Sequence, residues 1–125
     1  ADAFMQAYFA ADEIHWLGQA LDAEQALLAT VTWSAKEAVL KALHLGLTVD
    51  TQRVICLPAT GLELAAGAEH GWNEVYVQCD PALLPGALRL ADQPARNRDW
   101  TMRGWWRREG RFVLTLAALW QEAVV

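Results

Sequence analysis

Glu37 and Lys41 stand four residues apart in a segment whose apolar spacing predicts a long helix. An α-helix advances about 100° per residue, so Thr30, Trp33, Lys41 and His44 fall within roughly 40° of Glu37. Leu28, Val31, Ala35, Ala38, Val39, Ala42 and Leu43 cover the other side, a face wide enough for a core. A carboxylate with an ammonium one turn away has two readings. It is a surface pair, worth a few tenths of a kcal/mol. Or it is a site where a hard oxygen ligand meets Mg²⁺ and a positive charge meets a phosphate of the same diphosphate. Lys36 lies about 100° round the helix from Glu37, suited to a phosphate contact or a helix-edge salt bridge. Trp33 either lines the strip or caps the core beside it.

The elements that must carry these residues follow from pattern. Residues 1–21 read as helical, with Phe4, Tyr8, Phe9, Ile14, Trp16, Leu17 and Leu21 as the apolar set and Asp12 as an N-cap dividing them. Asp22 and Gln25 have capping-box spacing at the start of the long helix, which runs to about Leu45 with Gly46 as its C-cap. The period then changes to that of a strand, ending at Pro58. A loop with a weak strand or turn at Leu62–Leu64 follows, then a second strand over Trp72–Cys79. Trp100–Arg108 and Arg111–Trp120 read as a hairpin turning at Glu109-Gly110. The expected class is α+β, a long helix packed on a small antiparallel sheet in one domain spanning 1–125.

Composition narrows the partners. The chain has 125 residues, 54% of them apolar and 20% charged, as in a globular domain. A net charge of −5 argues against bulk attraction to nucleic acid, although six of eight arginines fall between Arg96 and Arg111 among tryptophans. That interleaving suits a half-buried strand pair. No run reaches membrane-spanning length, and the cytoplasm is the default compartment. Cys56 and Cys79, each in an apolar strand-like run, read as buried reduced thiols.

Trp33-Ser34-Ala35-Lys36-Glu37-Ala38-Val39-Leu40-Lys41 resembles the W-x-x-K-E-x-x-x-K signature of 4′-phosphopantetheinyl transferases. Tyr8-Phe9-Ala10-Ala11-Asp12-Glu13 resembles the family's F-F-x-x-x-E segment. The likeness is to the C-terminal half of the two-domain type, which activates peptide and polyketide synthetases and siderophore assembly lines. It implies transfer of phosphopantetheine from coenzyme A to a serine of an apo acyl or peptidyl carrier protein, with Mg²⁺. Glu37 would then be the metal ligand, and Lys41 would neutralise a coenzyme A phosphate and the departing 3′,5′-ADP. Lys36 and Trp33 would line the coenzyme site, and Glu13 would be the general base or its supporting partner. The family's G-(I/V)-D-x-E strand has no counterpart among these residues, so the chain by itself is expected to transfer little. A missing N-terminal half or a self-association partner is expected to cover an apolar face. The alternative is a non-catalytic module that binds a carrier protein or partner subunit.

Overall fold

The computed structural model describes residues 3–46, 48–58, 71–84 and 100–121. Three helices, α1 (Ala3–Tyr8), α2 (Ala11–Gly18) and α3 (Asp22–Ala42), precede four strands: β1 (Val54–Pro58), β2 (Asn73–Cys79), β3 (Trp100–Glu109) and β4 (Phe112–Gln121). The strands form one antiparallel sheet in the order β1-β2-β3-β4, so the fold is α+β. The expected turn or strand at Leu62–Leu64 and residues 85–99 lie outside the described residues.

The sheet turns one face to α3. Val54 and Cys56 of β1, Val75 of β2, and Met102 and Trp106 of β3 are buried there, against Leu28, Val31, Ala35, Val39 and Leu40 of α3. Phe9 and Leu17 close the core from the short helices. Gly104 sits opposite Val75 in the register. A Cβ on it would meet Val77 Cγ2 at 3.1 Å, so only a hydrogen fits there without displacement. Ser34 and Thr115 share a hydroxyl hydrogen bond of 2.7 Å that ties α3 to β4.

Four boundaries differ from the sequence expectation, each for a local reason. The helix is split at Ala10 rather than at Asp12: Glu13 reaches back to accept the Ala10 amide at 2.8 Å, doing the work of a cap side chain. At α3 the N-cap is Leu21, and Gln25 donates to the Ala20 carbonyl instead of closing a capping box. The helix ends at Ala42, short of Leu45. There the Leu45 amide bonds the Leu40 carbonyl and the His44 amide the Lys41 carbonyl, the paired bonds of a Schellman ending. The residue in the left-handed region is therefore His44, at φ 61°, with Gly46 at φ 55° two residues on. In the hairpin, Glu109 pairs Phe112, so the turn is centred on Gly110-Arg111, with Gly110 at φ 58°.

Candidate active site and its buried support

Burial on α3 is centred on a lysine. Lys36 has no exposed surface, and Thr32 and Leu40, one turn either side, are buried with it. Its ammonium donates to Glu13 Oε1 at 2.6 Å and to the Val54 carbonyl. Glu13 is equally enclosed, and its second oxygen accepts the Cys56 amide at 2.7 Å. Both carboxylate oxygens and two of the three ammonium protons have hydrogen-bond partners, which is what allows two charges to sit in a dry interior. Burial pushes the Glu13 carboxyl above its ordinary value, opposed by Lys36 and by the Cys56 and Ala10 amides.

The pair also finishes one edge of the sheet. Val54 and Cys56 lie on the same side of β1, and the backbone groups that point away from β2 are the ones taken by Lys36 and Glu13. A strand edge that would otherwise need water or another strand is satisfied by side chains from α2 and α3. This clamp fixes three elements against each other. It also fixes the rotation of α3, because Lys36 can reach Val54 and Glu13 only with the helix in one phase.

With Lys36 turned inward, its neighbour Glu37 is held at the rim, half-buried, and Lys41 stands exposed one turn further on. Among the described residues neither forms an ion pair, with each other or with any other group. The surface-pair reading is thus not what this geometry shows. Trp33, one turn before Glu37, is half-buried and is propped edge-on by Phe4 and Tyr8, with ring centroids 5.1 and 5.3 Å away. Trp33, Glu37 and Lys41 span about 12 Å along the helix at 1.5 Å per residue. His44 is exposed and His15 contacts Gln19, away from the strip.

The first 79 residues, which carry α1 to α3, β1 and β2, match the family model described as the 4′-phosphopantetheinyl transferase superfamily. The chain belongs to that superfamily. No curated protein and no solved structure matches it. For a 4′-phosphopantetheinyl transferase, the structure divides the expected site residues into two sets. Trp33, Glu37 and Lys41 share the accessible strip. Glu13 and Lys36 lie beneath it with no surface from which to touch a substrate, so direct phosphate contact by Lys36 and proton abstraction by Glu13 are closed off in this conformation.

The buried role of Lys36 was readable in part. Thr32, Leu40, Ala35 and Val39 surround it on the helical wheel, yet by type and spacing a lysine there suits a phosphate contact or a helix-edge salt bridge. Its partner lies 23 positions away in sequence, which no helical spacing reveals.

The donor set bears on the metal. Among the described residues no three His, Cys, Asp or Glu side chains stand close enough to hold an ion together. Mg²⁺ keeps several waters and binds through one or two carboxylates plus substrate phosphates. Glu37 fits that requirement as one such carboxylate and no more. No helix of the described residues is long and apolar enough to cross a membrane.

Proposed function

We propose that this chain is the C-terminal half of a two-domain phosphopantetheinyl transferase, of the kind related to surfactin-synthetase-activating enzymes and enterobactin synthetase component D. Its substrates are coenzyme A and the serine hydroxyl of an apo acyl or peptidyl carrier protein. The observation that supports it most is the sorting of W-S-A-K-E-x-x-x-K. The lysine between Trp33 and Glu37 is locked inside, while Glu37 and Lys41, on the accessible strip, form no ion pair among the described residues.

In the reaction, the serine oxygen bonds to the phosphorus that carries pantetheine and gives up its proton to water, and the bond from that phosphorus to the bridging oxygen of 3′,5′-ADP breaks. The chain's own residues position and neutralise. Lys41 holds a phosphate of coenzyme A as a mobile point charge and balances the negative charge on the departing nucleotide. Glu37 would hold Mg²⁺ through a carboxylate oxygen, and the ion would supply Lewis-acid charge stabilisation there. Trp33, backed by Phe4 and Tyr8, walls the strip. Glu13 and Lys36 act as positioning residues that set the phase of α3.

Calorimetry with coenzyme A in the presence of Mg²⁺ tests this reading. Weak binding is expected, lost in Lys41→Ala and reduced in Glu37→Gln, while both variants unfold like the parent. The alternative, a module that binds a carrier protein without chemistry, is favoured by the single carboxylate at the strip. It predicts carrier-protein binding with no coenzyme A binding, and that result would replace the proposal.

A further inference from the structure

The first helix is held by side chains that come some 43 residues later in the chain. α1 has six residues, none of them buried, against the ~12–15 that an isolated helix needs to be even marginally stable in water. Its placement must come from outside. The last carbonyls of a helix have no partner within it, yet at α1 each one from Met5 to Tyr8 is taken. Phe9 donates its amide to the Met5 carbonyl at 2.8 Å. The Gln52 side-chain amide donates to the carbonyls of Gln6 and Ala7, at 3.1 and 3.5 Å. The buried Thr51 hydroxyl donates to the Tyr8 carbonyl at 2.7 Å.

Thr51 and Gln52 lie in a turn of 3₁₀-helix, Thr51–Arg53, just before β1, and that turn is itself fixed. Asp50 accepts the Gln52 amide at 2.9 Å. Arg53 holds Asp80, just past β2, through its side chain at 2.9 Å and through its carbonyl, which accepts the Asp80 amide. The sheet thus carries an arm that grips α1. What α1 carries in turn is the aromatic wall beside the strip. Phe4 and Tyr8, four residues apart, share one face of the helix with ring centroids 4.8 Å apart, and both rings abut Trp33. They are 46% and 41% exposed, so burial does little to pin them. The hydrogen bonds at the end of α1 do that instead.

We propose that Thr51 and Gln52 are positioning residues of the coenzyme site. By capping α1 they hold Phe4 and Tyr8 against Trp33, and so set the shape of the wall beside Glu37 and Lys41. The inference rests on the reading of that strip as the coenzyme A site. Both residues act through α1, since Thr51 Oγ1 and Gln52 Nε2 end on its carbonyls. A cap that served stability alone would leave ligand affinity untouched when removed. A cap that sets the wall changes affinity in a protein that keeps its fold.

The test uses the full ¹⁵N-labelled chain, read at the Trp33 indole resonance, which Trp33→Phe assigns, and titrated with coenzyme A and Mg²⁺. Thr51→Val/Gln52→Met keeps the size of both side chains and removes their donors. It is expected to stay folded, to shift the Trp33 indole resonance, and to bind coenzyme A about 3- to 10-fold more weakly, the size of one aromatic contact. Gln52→Met alone, at an exposed position, is expected to do the same to a smaller extent. Thr51→Ser keeps the hydroxyl and is expected to match the parent in both readouts. Val75→Ala, a core change on β2, is expected to lower stability and leave both readouts alone. On a Phe4→Leu/Tyr8→Leu background, which lacks the two rings, Thr51→Val/Gln52→Met is expected to weaken binding no further. A Thr51→Val/Gln52→Met protein whose indole resonance and affinity match the parent overturns the proposal. So does a further loss of affinity on the background without the rings. A parent that binds no coenzyme A overturns the reading of the strip instead, and the hold on the wall is then decided by the Trp33 resonance alone.

Discussion

Removing the Lys36 ammonium should do more damage than any other single change on α3. In Lys36→Met the stem of the side chain keeps its packing, so the perturbation is confined to charge and hydrogen bonding. Glu13 then remains in a site with no exposure, holding the Cys56 and Ala10 amides but no counter-charge. Breaking a buried pair in this way costs about 3–5 kcal/mol, set against a total stability of about 5–15 kcal/mol for a domain. The double variant Glu13→Leu/Lys36→Met removes both charges and should recover part of that loss. It cannot recover all of it, because the Cys56 amide and the Val54 carbonyl lose their partners at the β1 edge. Each orphaned buried group costs about 1–3 kcal/mol, so the double variant should stay at least about 2 kcal/mol below the parent while remaining above Lys36→Met. The singles and the double form a cycle whose coupling should amount to several kcal/mol. Urea unfolding followed by tryptophan fluorescence, with Trp106 fully buried as reporter, measures all four proteins. A Lys36→Met protein within about 1 kcal/mol of the parent would refute the clamp, since a satisfied buried pair cannot be broken so cheaply. A double variant as unstable as the sum of the singles would refute the coupling.

Other outcomes follow from individual positions. His44→Gly should raise stability by up to about 1 kcal/mol, because the left-handed backbone at φ 61° strains any residue with a Cβ, partly offset by the extra freedom of glycine when unfolded; thermal unfolding checks it. The Cys79 thiol, pushed up to about 11 by burial and then by Asp80, should alkylate roughly 100-fold more slowly at pH 8 than a thiol of ordinary value, and Cys56, pushed up further by burial and Glu13, more slowly still. Mass spectrometry over a time course would show this, and rapid labelling of Cys56 in the native protein would contradict its enclosure. Incubation of the chain with coenzyme A, Mg²⁺ and an apo carrier protein should give conversion near background, because among the described residues no three acidic, histidine or cysteine side chains stand together to hold an ion; substantial holo protein by mass would overturn that expectation.

Much of the fold was legible because its signals are local. The alternation in Trp100–Glu109 and Phe112–Gln121 with a glycine between them fixes a hairpin, and only the centre of the turn moved, by one residue. The long helix was visible from its apolar arc, but its end was not. Gly46 is the usual left-handed residue, whereas the Leu40–Leu45 hydrogen bond placed His44 there. Spacing alone placed Trp33, Glu37 and Lys41 along one strip of the helix, and that strip is half-buried to exposed. The enclosure of Glu13 and Lys36 was not legible, because their types suggest solvent. Their burial depends on meeting each other and the β1 backbone, a tertiary event with no trace in spacing.

The central claim is that the exposed strip of α3 receives the phosphates of coenzyme A while the clamp beneath it only positions the helix. It is tested most directly by titrating the ¹⁵N-labelled chain with 3′,5′-ADP and Mg²⁺ and mapping the amide shifts. The account predicts shifts centred on Glu37 and Lys41, extending to Trp33, and abolished by Lys41→Ala in a protein that keeps its fold. Shifts confined to other surfaces, or a Lys41→Ala protein that responds like the parent, would contradict it.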